Sequence, residues 1–475
     1  MKNIYAKRCC LYLMTASAIL NAQSYSVLVL NPTPDFKGYG ASTNVFSIND
    51  LGQVLGEEIE AGGIVRAPVV WTKGVATKLT IPAGYSYPGL GAWLITNSSQ
   101  VMGGLTDNSS GASTLALWDG RGPDPWTVAT ILQGAPSGCA DGALAMETTG
   151  FGMNKAGHIA GTSANPAEQC SAAWFYDGAQ FSILPPPTFE AGCGGNLQVS
   201  SINDADEIGG TFDPESAGCT PGSPDYPFIY SPGSGLYTQL ASPAGIQGWA
   251  VTGINNRQEA LGSYGPPYNI AFWNSAGAQN VAGLDASLND IGQVALYAGN
   301  QGGPYQSEIW RNGTATPVNL PVEVAGGAYQ FIDNAGQLGS AYGMSGLTGS
   351  NAGLGALLTP RRACASDVTS QVGIAAGGFH LNSGTGRYVQ QITLTNNGAT
   401  TIASPVSLVF DGLPATATLY AIAGSTLCGT RGSPYVDSSA SLAPGASEVL
   451  DVQFIDTSGL PISYSNRIIA GTGGR

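Results

Sequence analysis

Asp107, Asp141, Glu147, Asp213 and Asp285 fall in or beside the long loops of this chain. Two carboxylates of this kind, held at a suitable separation in a cleft, are what glycoside hydrolysis requires, and sequence does not measure that separation. His158 and His380 are the two histidines, so a histidine-based zinc site is poorly supported. His158 stands at a turn position filled elsewhere by Gln53, Glu207, Glu259 and Gln293, and reads as a polar turn residue more readily than as a general base. No HExxH, GxSxG, P-loop or dinucleotide-binding pattern is present, and "GTGR" at 384–387 reads as a glycine turn beside a strand. Calcium on loop oxygens is compatible with the acidic loops, without an EF-hand or Asp/Gly calcium repeat to mark a site. The expectation is no catalytic residue, no cofactor other than such a calcium ion, and an enzyme only if two loop acids converge.

The segment 1–22 places Lys2, Lys7 and Arg8 ahead of an apolar run from Cys9 to Leu20. It has the form of a secretory signal peptide cut after Ala22, and the run is too short for a membrane span. Its removal takes three positive charges and no acid, moving the net charge from -14 to -17. A chain so poor in Lys and Arg disfavours nucleic-acid and anionic-membrane partners. Six cysteines follow the cut: Cys139, Cys170, Cys193, Cys219, Cys364 and Cys428. An even number without CxxC spacing in an exported chain points to disulfides rather than zinc or redox chemistry.

The elements that must position these groups come from one recurring phrase. "SINDLGQVLG" from Ser47 returns as "LITNSSQVMG" from Leu94, "GMNKAGHIAG" from Gly152, "SINDADEIGG" from Ser201, "GINNRQEALG" from Gly253, "SLNDIGQVAL" from Ser287 and "FIDNAGQLGS" from Phe331. The anchors Asn49, Thr96, Asn154, Asn203, Asn255, Asn289 and Asp333 are spaced 47, 58, 49, 52, 34 and 44 residues apart. Such steps bracket propeller-blade periods and exceed those of leucine-rich or helical-hairpin repeats. Asn and Asp bond to nearby backbone and tolerate left-handed conformations, so turn chemistry suffices to explain them.

A second signature follows each phrase and carries Trp71, Trp118, Trp174, Tyr230, Trp273 or Trp310 in the first six units and "GALLTP" in the seventh. Each unit therefore offers four strands: into the Asn turn, out of it, through the aromatic residue, and to a closing Leu such as Leu79, Leu184, Leu240 or Leu320. Nothing of helical period and length competes. The expected fold class is all-β: a seven-bladed β-propeller over residues 23–362, followed by an immunoglobulin-like β-sandwich over 363–475. The aromatic residues are read as packing between neighbouring sheets. The seventh unit lacks a fourth strand, and strand 25–30 is expected to supply it, closing the ring and removing an exposed edge.

Strand alternation also sorts the loops. The Asn turns and the turns after the aromatics share one face and are short. The two-to-three links and the blade-to-blade links share the other face and include the long segments 84–92, 133–150 and 185–196. Selective binding is expected on that long-loop face. Four cysteines allow three pairings, and blade topology selects Cys139 with Cys170 and Cys193 with Cys219, each closure adding up to about 3.5 kcal/mol. In the tail, alternation in "VQQITLTN" and Asn-Gly, Asp-Gly and Pro-Gly turns indicate the sandwich. Cys364 and Cys428 are placed to tie its first strand or linker to a middle loop.

The phrases "SINDLGQVLGE" and "APVVWTKG" resemble the probable extracellular repeat named after its His-Ala-Phe triplet, found in exported bacterial proteins. Here the triplet is reduced to "APVVW", "AAWF", "IAFW" and "GALL", none with its histidine, while Asn49, Asn154, Asn203, Asn255 and Asn289 match the repeat's Asn. Thr96 and Asp333 depart from it. The resemblance covers about residues 41 to 360 and implies a propeller-like, exported chain with no catalytic residue to transfer. The tail, through "SGTGRYVQQITLTNNG" and "GSPYV", resembles an uncharacterised β-sandwich module at the ends of exported bacterial proteins. The function expected is that of a secreted or bacterial surface protein binding an extracellular glycan or protein. A structural envelope role and a polysaccharide hydrolase or lyase are the alternatives.

Overall fold

A computed structural model describes residues 24–475 except 37–40, 62, 64, 90–92, 123, 128, 139–146, 166–169, 190–195, 215–224, 242–248, 265–268, 285, 299–305, 342–344 and 439. The signal-peptide segment 1–22 lies outside the described residues. The architecture is all-β, with nine antiparallel sheets of four or five strands among the described residues. The helical pieces are three-residue 3-10 turns such as Pro34–Phe36 and Val322–Val324.

Seven sheets follow the seven repeats. In the first unit, Ser42–Ile48, Gln53–Ile59, Arg66–Thr72 and Val75–Lys78 pair in chain order. The same order recurs in the third to sixth units. The second departs from it: its first strand is broken into Tyr85–Ser86 and Leu94–Ile95, both paired to Gln100–Asp107. Between the two pieces Pro88 withdraws a ladder donor, and buried Trp93 stacks on Trp118 at 5.4 Å. In the seventh sheet the strand outside Gly355–Pro360 is Tyr25–Leu30, paired antiparallel from Tyr25 opposite Pro360 to Leu30 opposite Gly355.

Two local devices repeat. The first strand of five units carries a β-bulge, with register shifts at Val45/Ser47, Gly150/Gly152, Val199/Ser201, Val251/Gly253 and Tyr329/Phe331. The glycine ending the phrase makes room for the aromatic residue on the next strand. A Cβ on Gly161 would lie 2.3 Å from the Trp174 ring and 2.4 Å from the Thr149 carbonyl oxygen. On Gly262 it would lie 2.6 Å from the Trp273 ring and 2.5 Å from the Ala250 carbonyl oxygen. The rings, buried in this way, pack on the unit before: Trp71 with Leu30 and Leu357, Trp118 with Leu55 and Val70, Trp174 with Met102 and Leu115. The indole nitrogens of Trp118, Trp273 and Trp71 also reach back. Trp118 donates to the Thr80 carbonyl at 2.9 Å and Trp273 to Ala241 at 2.7 Å, each just past the fourth strand of the preceding unit. Trp71 makes the equivalent bond to Asn31 at 2.7 Å, just past Tyr25–Leu30. That strand thus occupies a fourth-strand position in packing as well as in pairing.

The last two sheets come from residues 366–470. One holds Val406–Asp411, Pro434–Ser438 and Ser465–Ala470; the other holds Val372–Ala376, Arg387–Asn396 and Ser447–Asp456. Phe410, Phe454, Ile392, Leu408 and Ile468 fill one core between them. Cys364 and Cys428 are joined by a disulfide, S–S 2.02 Å.

Candidate functional site

The repeated Asn does more than form turns. Asn154 Oδ1 accepts from the Ala156 and His158 amides within its own turn, and Asn255 and Asn289 do the same in theirs. The Nδ2 then donates to the main-chain carbonyl at the anchor of the next unit. Asn49 reaches Thr96 at 2.8 Å, Asn154 reaches Asn203 at 3.1 Å, Asn203 reaches Asn255 at 3.0 Å, Asn255 reaches Asn289 at 3.0 Å and Asn289 reaches Asp333 at 2.9 Å. Turn chemistry alone is therefore too narrow an account of these residues. The second unit has Thr96 instead, and Ser98 Oγ bridges onward to the Lys155 carbonyl at 2.9 Å.

The residue after the anchor builds a second polar circle. The amides of Asp50, Lys155, Asp204, Asn256 and Asp290 each donate to the corresponding side-chain oxygen of the following unit. The Asn334 amide donates at 2.8 Å to Asp50 Oδ1, joining the seventh unit to the first.

The C-terminal sheets lie over this face. Thr418 Oγ1 donates to Asp204 Oδ2 at 2.7 Å, Ser425 Oγ donates to Asp50 Oδ2 at 2.9 Å, and Lys155 Nζ donates to the Ala417 carbonyl at 2.8 Å. Arg431 donates to Gln337, and Ile291 of the sixth unit joins the C-terminal core. Burial and the neighbouring Asp204 carboxylate push Asp290 up to about 6. Burial raises Asp50 against the donors Asn334 and Ser425, and lowers Lys155 against the pull of Asp204, Asp50 and Asp290. These carboxylates accept hydrogen bonds from protein groups, which makes them ring and docking groups.

The long-loop face carries a different site. A groove of about 350 Å³ runs between the third and fourth units. Its walls are two strand rows of alternate residues, Glu147, Thr149 and Phe151 on one side and Asn196, Gln198 and Ser200 on the other. Residues two apart on a strand share a face, which is why each row points one way. Phe151 and Ser200 are the residues left unpaired at their strands' bulges. Phe151 remains 43% exposed despite its size. Ser163, Ser171 and Thr211 add hydroxyls to the lining.

Of the acids singled out in the sequence, Glu147 stands in this groove. Asp107 instead folds onto its own loop, accepting from the Ser109 and Ser110 amides, which hold it below the ordinary carboxylate range after the larger effect of the Ser109 hydroxyl. Asp213 ends the second strand of the fourth unit, and Asp141 and Asp285 lie outside the described residues. Cys170 is disulfide-bonded; Cys139, Cys193 and Cys219 lie outside the described residues, so their pairing does too. His158 is half-buried and meets Asp206 Oδ1 at 2.7 Å, the contact that raises its pKa. The repeat's Trp and Tyr residues are buried in packing. Phe151 and Gln198 were not visible as site residues, since they sit in strands, and strand alternation gives the face of a side chain without saying whether a groove lies there.

No family model matches the chain, and no curated protein matches it. Among solved structures it is similar to virginiamycin B lyase from Staphylococcus aureus, with 13% identity and TM-score 0.39 over 71% of this chain and 99% of the other. TolB from Acinetobacter baumannii is similar at 12% identity and TM-score 0.31, covering 68% and 79%. The β-propeller domain of the trilobed protease from Pyrococcus furiosus is similar at 9% identity and TM-score 0.30, covering 74% and 89%. At this level the likeness concerns all-β architecture, and no activity is carried over from it. No helix among the described residues is long and apolar enough to cross a membrane.

Proposed function

We propose that this chain is an exported, seven-bladed β-propeller of the His-Ala-Phe repeat type with a C-terminal immunoglobulin-like sandwich, and that it binds an extracellular glycan in the groove between the third and fourth blades. The propeller reading is supported by seven successive sheets, the shared outer strand Tyr25–Leu30 and the Asn334-to-Asp50 bond. The sandwich reading is supported by the single core between the last two sheets. With the Asn-turn face covered, recognition falls to the long-loop face.

The observation that carries the binding reading is the groove itself. It sets one exposed aromatic, Phe151, among amides, hydroxyls and a carboxylate. A sugar ring offers an apolar C–H face for an aromatic surface and hydroxyls for Gln198, Asn196 and Glu147. Sites of this kind combine an apolar platform with a few polar groups that fix orientation. Glu147 is the one carboxylate lining the groove among the described residues, and it offers an acceptor for a sugar hydroxyl.

A glycan array probed with the labelled protein tests the reading. Saturable binding to at least one glycan is expected, weakened about tenfold or more by Phe151→Ala or Gln198→Ala. Uniform absence of binding, or binding that both variants leave intact, contradicts it.

A further inference from the structure

The groove between the third and fourth units has one sign of charge around it. From residue 122 to residue 310 the chain carries two Lys or Arg residues, Lys155 and Arg257. Both are engaged on the opposite face, beneath the C-terminal sheets: Lys155 Nζ donates to the Ala417 carbonyl and Arg257 Nη2 to the Ile422 carbonyl. His158 lies at an Asn turn of that same face, against Asp206. The third, fourth and fifth units supply every described residue of the groove lining. No strand or loop of theirs holds another Lys or Arg to meet an anion there.

Acids border it instead. Glu147 opens the first strand of the third unit, Asp213 ends the second strand of the fourth, and Asp225 precedes its third strand, Tyr226–Ser231. Those strand ends belong to the long-loop face. Asp213 pairs opposite Asn196, and opposite residues of an antiparallel pair share a sheet face, so its charge stands beside the wall that carries Gln198. Glu147 lies in the groove itself, is exposed, and makes no hydrogen bond or ion pair among the described residues. Phe151 shares its strand face four residues on, about 13 Å along an extended chain. A glycan of two or more sugar residues reaches both.

When donor and acceptor are both ionised, Coulomb attraction adds to the hydrogen bond, and a partly walled site screens it less than open surface does. We propose that the glycan held in this groove is an amino-sugar polymer, one ring face lying on Phe151 and the free ammonium of a 2-amino-2-deoxyhexose residue donating to the Glu147 carboxylate. The inference rests on the glycan reading above and narrows it: uronate and sulfated glycans meet only acids here and are repelled. A lysine side chain also brings an ammonium. The side chains of Thr149, Ser171 and Gln198, which line the groove without a hydrogen bond among the described residues, match the many hydroxyls of a sugar better than they match a peptide's alkyl stem.

Calorimetric titration of the whole protein, at mildly acidic pH where sugar amines are protonated, tests this with β-1,4-linked tetramers of glucosamine, N-acetylglucosamine and glucose, a galacturonate tetramer, and tetralysine. The glucosamine tetramer is expected to bind about tenfold or more tightly than the two uncharged tetramers, more tightly than tetralysine, and less tightly as salt is added, with galacturonate silent. Glu147→Gln should cost the glucosamine tetramer about tenfold and the glucose tetramer far less, whereas Phe151→Ala should weaken every sugar that binds. Circular dichroism establishes that both variants are folded. A glucosamine tetramer that does not bind, that binds no better than the uncharged tetramers, galacturonate or tetralysine, or whose preference survives Glu147→Gln overturns the amino-sugar assignment. The broader glycan reading then stands if Phe151→Ala weakens binding of any other glycan, and falls with it if no glycan binds at all.

Discussion

Asp333 is the anchor whose chemistry differs most from its position. Its Oδ1 accepts from the Ala335 and Gln337 amides, as the anchor Asn Oδ1 does in the other units. Its Oδ2 therefore stands where they place Nδ2, and this buried oxygen has no partner. The corresponding acceptor in the next unit round is the Asn49 carbonyl, which an ionised carboxylate would oppose and a protonated one can meet as donor. Burial, and then the Asp50 charge, push Asp333 well above the ordinary carboxylate range, with Arg431 acting the other way. A folded pKa raised in this manner gives stability that is full below the unfolded value and lost as pH rises through the folded one. Asp333→Asn should therefore raise Tm at pH 8, by about 1–3 kcal/mol of stability, and make little difference near pH 4. Thermal unfolding of both proteins across that range checks it, and an equal effect at both ends contradicts it. A phrase-ending glycine and a strand glycine outside the phrase give a second test at this scale. Gly161→Ala meets both Trp174 and main chain and should cost about 1–3 kcal/mol, whereas Gly104→Ala, with open space at its Cβ, should be close to neutral in chemical denaturation.

Among the elements, the closing strand is held at its end by a buried carboxylate. Glu58 accepts from the Thr33 amide at 2.7 Å and from the Thr33 hydroxyl, and meets Lys78 at 3.2 Å. Lys78 in turn lies over the Phe36 ring at 4.1 Å. Glu58→Ala should free the segment after Leu30, lower stability by about 2–3 kcal/mol, and speed proteolysis around residues 31–36; an unchanged denaturation midpoint would contradict that role. Much of this architecture was legible. Periodic Asn, Gly and Trp mark the sheets because each has a fixed task in turn, close approach or packing, and the unfinished seventh unit pointed to residues 25–30. The circular bonding from unit to unit was not legible, because an Asn in a turn looks the same whether or not its Nδ2 leaves the turn. Nor was the groove. Phe151 shares a strand face with Glu147 and Thr149 by plain alternation, and that alternation does not say whether a neighbouring sheet or an open groove meets the ring.

For the molecule as a whole, the proposed groove and the C-terminal sheets lie on opposite faces. The C-terminal sheets cover the Asn-turn face and also span the place where the seven-unit array meets itself: Ser425 donates its amide to the Asn334 carbonyl and its hydroxyl to Asp50, and the Arg431 guanidinium lies against Gly52 while reaching Gln337. Lys155 is the buried cation among Asp204, Asp50 and Asp290. Replacing it with Met removes the positive charge facing them and should lower stability by about 3 kcal/mol or more. Calorimetry is expected to show one transition for the unaltered protein and two for the variant, as the C-terminal sheets separate first; the same number of transitions in both would contradict the docking role. Neither the covering of this face nor its consequence for recognition could be read from the tail, whose turn residues carry no sign of what they touch.

The most direct test is hydrogen exchange measured on peptides covering residues 25–30 and 355–360. A closed ring predicts that both segments are protected alike and that Glu58→Ala accelerates them together. Rapid, unprotected exchange across 25–30 while 355–360 stays protected would contradict the closure on which this account rests.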